Sequence, residues 1–358
     1  MALANINLSR GMPPVEVFPV DDIIQSAVAS LKNDPHKLLQ YGRSPGYLPL
    51  RELLGGWYRV GPDQVLIGNG SLEISEFIAR TLLGPGKRAF VEVPTYDRTI
   101  VTYRRVGAEV VGIPMDDDGM NIDALEAQIR KGKPTLLYTI ADFQNPLGIT
   151  TSLKKRQAIA KLAQQHDFWV VEDAPYRALR YIGEQVPTIC EMAPEHTYHL
   201  SSFSKTLAPG LRLGYAVAPA TAIAKLAAYA VDTYIGPVFP TQGLVYEYCR
   251  AGLLDANLAK LKTIFAPRMH ALLAALEKHM PGATWTHPEG GYYVGLTLPE
   301  GSSVERLLAR TKDAGLTLSD GRGFYPNPSD GDRFVRIPFC SVTPEDLDEG
   351  VARLAKIV

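Results

Sequence analysis

Between about residue 50 and residue 220 the chain repeats one unit. A short run of consecutive apolar residues is followed by a polar or glycine-rich break, then by a segment with apolar residues at helical spacing. The runs are Val65-Leu66-Ile67, a stretch over 88–93, another over 106–115, Leu136-Leu137-Tyr138, a stretch over 168–173 and two more around 196–200 and after Arg212. Leu72, Ile74, Phe77, Ile78 and Leu82 mark one intervening helix, and further helices are predicted over 122–131 and 154–166. Short apolar runs without alternation fit strands buried on both faces. Alternating with helices, they predict an α/β fold whose mostly parallel sheet is covered on both sides. Such sheets bind ligands beyond the carboxyl ends of their strands.

The flanks read differently. Residues 1–20 are proline-rich and non-periodic, which predicts an extended arm packed on the rest of the chain. A helix is predicted over 20–31, with Asp21 and Asp22 in its first turn, then a Gly/Pro-punctuated loop over 39–51 that runs into another helix. Beyond Pro219 helical spacing dominates over 220–233, 239–254 and 257–280, followed by strands over 289–296 and 331–338 and helices over 304–314 and 344–358. The expected division is an N-terminal arm and segment over 1–45, a large domain over 46–255 and a smaller α+β domain over 256–358.

At 358 residues the chain is long enough for two cores, and a net charge of −1 argues against nucleic acid or an anionic membrane as main partner. No apolar run reaches the length of a membrane span. The first fourteen residues lack a basic region followed by an apolar stretch, so no secretory signal is expected. Cys190, Cys249 and Cys340 are scattered and odd in number, which fits a reducing cytoplasm. The seven histidines show no ligand spacing and no metal is expected; His196 and His199 bracket a strand start and read as structural.

The stretch over 196–219 carries the chemistry. It turns polar at Ser201, Ser202 and Ser204, presents Lys205, breaks at Pro209-Gly210 and resumes after Arg212. A lone lysine between strands is ordinarily a solvated edge residue. Flanked by hydroxyls and an arginine, it also suits a phosphate-bearing aldehyde, the amine forming a Schiff base while hydroxyls and guanidinium hold the phosphate. The pattern Ser202-x-Ser204-Lys205-x-x-x-Pro209-Gly210-x-Arg212-x-Gly214 resembles the lysine motif of fold-type I aminotransferases, class I/II, which use pyridoxal 5'-phosphate.

That resemblance assigns roles elsewhere. Gly70, Ser71 and Leu72, at a helix start, would cradle the phosphate through backbone N–H groups, although the family usually has glutamines where this chain has Leu72-Glu73. Tyr96, at a strand end, would stack on the pyridine ring. Asn145, in Asn145-Pro146-Leu147-Gly148, and Tyr176 would contact the phenolic oxygen. Asp173 ends an apolar strand, where a carboxylate is costly unless paired. A protonated ring nitrogen would pair it, with about 4 kcal/mol at 4 Å and an effective dielectric near 20. Ala174 replaces the second acidic residue usual there. Tyr41 would reach the neighbouring subunit's phosphate, which makes the active unit a homodimer. Arg336 would bind the substrate carboxylate, with Asn145 and Gly11 beside it, although Arg333 looks similar by composition alone. Arg10 and Arg43 lie where the family shapes its side-chain pocket, so an acidic or polar side chain is expected. The segment 317–325 departs from the family's usual Pro-Gly turn and leaves room for a modified substrate site.

The implied activity is transfer of an amino group between an α-amino acid and a 2-oxo acid, with catalytic Lys205, Asp173 and Tyr176. The nearest resemblance is to 2-aminoadipate and kynurenine aminotransferases. Elimination, cyclisation and carbon–carbon bond formation use the same cofactor site and stay open. A non-catalytic effector sensor is a remoter alternative: such relatives are fused to DNA-binding domains, and no basic N-terminal domain is seen here.

Overall fold

The computed structural model describes residues 4–358. Its strands are β1 (Ile6–Leu8), β2 (Val65–Gly68), β3 (Arg88–Val93), β4 (Glu109–Asp116), β5 (Gly119–Met120), β6 (Leu136–Thr139), β7 (Trp169–Asp173), β8 (Thr197–Ser202), β9 (Gly214–Val217), β10 (Thr284–Trp285), β11 (Tyr293–Thr297), β12 (Leu316–Leu318) and β13 (Phe334–Pro338). Eight of them form one sheet in the order β2-β9-β8-β7-β6-β3-β4-β5. The pairs β8-β7, β7-β6, β6-β3 and β3-β4 are parallel; β9 runs against β2 and β8, and β5 against β4. The sheet is therefore mostly parallel, as the uninterrupted apolar runs require. Leu66, Phe90, Val91, Leu136, Leu137, Val170, Val171 and Leu200 are all buried, and they feed cores on both faces.

The helices form where spacing and caps agree. Asn121 accepts from the Ala124 N–H at 2.8 Å to start Ile122–Lys131, and Ser152 accepts from the Lys155 N–H to start Leu153–His166. One apolar run misled. The strand expected over 106–115 begins only at Glu109, because the chain first completes a helix over Asp97–Arg105, and Gly107 at φ +83° turns it back into the sheet. The helix expected to reach residue 254 stops at Arg250, and after Gly252 at φ +74° the chain runs as one helix over Leu253–His279. The later elements are shorter than their patterns: β11 starts after the Gly290-Gly291 turn, a 3-10 turn over Pro328–Gly331 precedes β13, and the helices end at Thr311 and Ala355.

The second unit is α+β. An antiparallel sheet β10-β11-β13 and the helix Pro344–Ala355 pack with the long helix through Leu272, Leu276, Val294, Leu296, Ile337, Leu347 and Val351. The N-terminal arm packs here: β1 adds in parallel to β12 with Ile6 opposite Leu316. Residues 9–12 then pass over the carboxyl end of the large sheet.

Candidate active site

A cavity of about 840 Å³ lies between the carboxyl ends of the parallel strands and the arm with the β12–β13 region. Gly11, Gly70, Ser71, Leu72, Tyr96, Asn145, Asp173, Tyr176, Ser202, Ser204, Lys205, Arg212 and Arg336 all line it. They come from the ends of β3, β6, β7 and β8, from the helix start at Ser71, from β13 and from the N-terminal arm, which is why residues up to 325 positions apart (Gly11 to Arg336) meet here. Tyr41 does not line it; its side chain is 82% exposed on the single chain. Arg10 lines the cavity and Arg43 does not.

One wall is built for an anion. Gly70, at φ +105°, precedes the helix Ser71–Leu82, whose first N–H groups have no acceptor within the helix. A Cβ on Gly70 would sit 2.4 Å from Arg212 Nη2, and one on Gly214 only 2.2 Å from the Ser71 nitrogen. The backbone approach requires glycine at 214, and the positive φ favours it at 70. Arg212 itself is in the left-handed region, φ 48°, and its Nη2 donates to the Asn69 carbonyl at 3.2 Å. The Ser204 N–H donates to Ser202 Oγ at 3.1 Å, and the two hydroxyls lie 2.9 Å apart. The unusual Glu73 turns away from the cavity: its carboxylate accepts from the Asn69 N–H at 2.7 Å and fixes the loop, while Leu72 remains at the rim.

Asp173 forms the floor. Its Oδ2 accepts from the Tyr138 hydroxyl at 2.7 Å, whereas Oδ1 is buried with no partner. Burial pushes the carboxyl up to about 6, against the opposing pull of the Tyr138 hydrogen bond and of His199. Lys205 Nζ donates to the Gly11 carbonyl at 3.0 Å and lies 5.8 and 5.5 Å from the ring centres of Tyr176 and Tyr292. Tyr292 in turn donates its hydroxyl to the Lys205 carbonyl at 2.9 Å. The Tyr176 hydroxyl faces that of Tyr293 at 3.4 Å, and burial raises it well above the ordinary phenol range. Burial likewise pushes Tyr96 up to about 12.

Opposite, Arg336 is buried between the rings of Tyr293 and Phe324, at 4.5 and 4.8 Å. Nη1 donates to Asn145 Oδ1 and Nη2 to the Ser9 carbonyl, both at 2.9 Å, and Nε is buried without a partner. The other candidate, Arg333, donates Nε to the Leu298 carbonyl and lies outside the cavity lining.

Sequence reading missed Tyr138, Tyr293, Phe324 and the carbonyls of Ser9 and Gly11. Tyr138 sat in an apolar run as an ordinary core aromatic, and a carbonyl has no residue signature. His199 is structural, as expected: it is fully buried with Nδ1 3.0 Å from Glu172 and Nε2 3.2 Å from the Tyr58 hydroxyl.

The side chains fit pyridoxal 5'-phosphate. The orphaned Asp173 Oδ1 matches a ring N–H, the glycine-narrowed helix start with Ser202, Ser204 and Arg212 matches a phosphate, and the Lys205 amine matches an aldehyde. Among the described residues no group of three His, Cys, Asp or Glu side chains stands ready to hold a metal, and no helix is long and apolar enough to cross a membrane.

A site of this construction on this fold defines a pyridoxal-phosphate-dependent transferase. The chain belongs to the aminotransferase class I and II family, whose model matches residues 4–354. It is 37% identical to aromatic-amino-acid aminotransferase 1 of Thermococcus litoralis, covering 99% of this chain and 88% of that one. It is 32% identical to the 2-aminoadipate transaminase of Thermus thermophilus, covering 98% and 89%. Among solved structures, the kynurenine aminotransferase of Pyrococcus horikoshii superposes with a TM-score of 0.95 at 33% identity, over 99% of this chain and 91% of that one. The protein is an aminotransferase that moves amino groups with pyridoxal phosphate.

Proposed function

We propose that the enzyme transfers the amino group of a long-chain α-amino acid, aromatic or of the 2-aminoadipate type, to a 2-oxo acid, with Lys205 as the residue that holds the cofactor and moves the proton. The observation that carries this is the convergence on one cavity of the Lys205 amine, the unpartnered Asp173 Oδ1 and the unpartnered Arg336 Nε. Bound there, pyridoxal phosphate supplies an aldehyde for amine exchange and a ring that draws electrons from the substrate's α-carbon.

The protein's own groups supply the rest. Gly70, Ser71, Leu72, Ser202, Ser204 and Arg212 would hold the phosphate. Asp173 Oδ1 would accept the ring N–H and keep that proton in place, Tyr96 would pack on the ring, and Asn145 and Tyr176 would hold the phenolic oxygen. Arg336 grips the substrate carboxylate, for which its planar fork suits two oxygens; Asn145 and Gly11 border the same place. The Lys205 amine would serve as the base that takes the proton from the substrate's α-carbon and holds it at Nζ. Phe324, Tyr293, Leu318 and Met12 give the cavity apolar surface for a long side chain, and Arg10 gives it one cation. The three similar proteins named above, acting on aromatic amino acids, 2-aminoadipate and kynurenine, support that range.

We place Tyr41 across a homodimer interface, which its exposure on the single chain supports. The three cysteines are free, in keeping with a cytoplasmic enzyme. We also propose the division into 1–45, 46–255 and 256–358; the eight-stranded sheet lying within the second segment supports it, while β1 of the first pairs with β12 of the third and the helix Leu253–His279 crosses the last boundary.

The test is an amino-acid titration of the loaded enzyme with no 2-oxo acid acceptor, followed by visible absorption and by assay of released oxo acid. Release limited to about one equivalent per subunit marks the first half of an amino transfer; continuous release marks elimination and overturns the proposal. Alanine or valine outperforming kynurenine, phenylalanine and 2-aminoadipate overturns the side-chain assignment. Lys205→Ala is expected to abolish turnover in a folded protein.

A further inference from the structure

The turn that carries Tyr96 and the turn that carries Asn145 leave two adjacent parallel strands, β3 and β6, and they are joined behind the cavity. Glu92, in β3, is fully buried and lines no part of the cavity. Its Oε1 accepts from the Thr139 hydroxyl, and its Oε2 from the Ile140 N–H at 3.2 Å and from Gln144 Nε2 at 3.0 Å. Gln144 is also fully buried. The same amide nitrogen donates to the Pro94 carbonyl at 2.8 Å, and Gln144 Oε1 accepts from the Leu147 N–H at 2.8 Å. One side chain thus bonds the Tyr96 turn two residues ahead of the tyrosine, and the Asn145 turn two residues beyond the asparagine. Glu92 fixes that side chain in turn.

Among the described residues no cation pairs with Glu92. Glu172, two strands away in register with Thr139, is committed to His199 and to the Ile189 and Cys190 N–H groups. A buried carboxylate without a cation is expensive, and an apolar residue in this strand would avoid the cost. What an apolar residue would forfeit is the acceptor that orients Gln144. The reach of the arrangement extends further, because Asn145 Oδ1 receives Arg336 Nη1.

We propose that Glu92 and Gln144 form a positioning pair for amino transfer: together they fix the separation between the Tyr96 ring and the Asn145 side chain, and through Asn145 the placement of the Arg336 guanidinium. Neither touches substrate or cofactor. The proposal rests on the reading of the cavity given above, and displacements near 1 Å in such a site cost on the order of a hundredfold in rate.

The experiment compares holoenzyme of wild type, Glu92→Met, Gln144→Met and the double variant. Three readouts are taken: thermal unfolding, the visible circular dichroism of the bound cofactor, which reports its setting in the site, and the single-turnover rate and KM with an amino acid. Glu92→Met keeps the length of the side chain and removes the acceptor for Gln144; an amide would not serve, because it could turn its NH2 to the Thr139 hydroxyl and keep its oxygen on Gln144. The pair predicts an altered dichroism band and a fall of roughly 10- to 100-fold in rate with a raised KM for each single variant. It also predicts that the double variant is no worse than Gln144→Met alone, because the glutamate acts through the glutamine. Folded single variants with wild-type dichroism and rate overturn the proposal, as do effects that multiply in the double variant. Gln144→Asn, too short to reach both partners, takes the place of any variant that does not fold. The dichroism needs no turnover, so a changed band in an enzyme that releases no 2-oxo acid supports the pair while defeating the functional assignment.

Discussion

At the residue scale the cavity is defined by polar groups whose hydrogen-bonding capacity the protein leaves incomplete. Asp173 Oδ1 and Arg336 Nε are both buried without partners, and in a core such atoms are costly. In a cofactor cavity the same atoms would be the recognition elements, since a ligand completes them. Asp173→Ala is therefore expected to cut the turnover of cofactor-loaded enzyme by about a thousandfold, matching the roughly 4 kcal/mol of a close ion pair at an effective dielectric near 20. Steady-state kinetics at saturating cofactor checks it. Arg336→Lys keeps the charge but loses the fork, and should raise KM for the amino acid at least about tenfold while leaving cofactor affinity unchanged. A loss of cofactor binding instead would place Arg336 elsewhere in the chemistry. Gly214→Ala has a different signature. Its Cβ falls 2.2 Å from the Ser71 nitrogen, so the helix start must shift, and cofactor affinity should fall by at least about tenfold in equilibrium dialysis.

At the scale of elements, the turn bearing Asn145 is held from below by an ion cluster that sequence reading passed over. Arg156, fully buried in the helix Leu153–His166, donates to the carbonyls of Ala141 and Thr151, both at 2.9 Å, and to Asp142 Oδ1 at 2.7 Å. Arg177 reaches the same carboxylate at 2.9 Å. These bonds fasten both ends of the 141–151 segment to the helix that follows it. Arg156→Met leaves Asp142 with one of its two close partners and should destabilise the fold by about 3–5 kcal/mol, read from denaturant unfolding. A smaller loss would mean that Arg177 alone suffices.

For the whole molecule, buried carboxylates set the pH dependence of the cofactor-free protein. Glu92 and Asp173 are pushed up by burial to about 7 and about 6, so each contributes most to stability when protonated, and that contribution is lost as pH rises through those values. Asp142 and Glu172 are held below their ordinary range, outweighing a burial effect that acts the other way: Asp142 by hydrogen bonds and charge from Arg156 and Arg177, Glu172 by His199 and two backbone N–H groups. Their contribution is present above the ordinary carboxylate range and is lost as pH falls through the lowered values. Apoprotein melting temperature should accordingly peak at about pH 4, where the two sets of carboxylates balance, and decline up to about pH 7. Cofactor loading should flatten the alkaline decline, because the ring N–H gives Asp173 a partner for its charge. Differential scanning of both forms across pH 3–8 decides this. At the same scale, sedimentation is expected to show a dimer, and Tyr41→Phe should weaken cofactor binding only in the assembled form.

The sequence by itself determined the strand runs, and with them a mostly parallel sheet whose carboxyl ends carry the chemistry; the resemblance of the residues around Lys205 to the fold-type I lysine motif implied the cofactor. Those features are local, since backbone conformation and a lysine motif depend on neighbours a few residues away. Only the tertiary structure put the side chain of Arg336, to which the resemblance pointed, in the cavity and left Arg333 outside the lining. It alone turned Glu73 to its own loop, moved Arg43 out of the lining, placed the arm's carbonyls at Ser9 and Gly11 on Arg336 and Lys205, and joined Glu92 to Gln144 across fifty-two residues. Each of these is a contact between segments distant in the chain, set by packing, and hydrogen-bond partners of that kind leave no periodicity for a sequence to display.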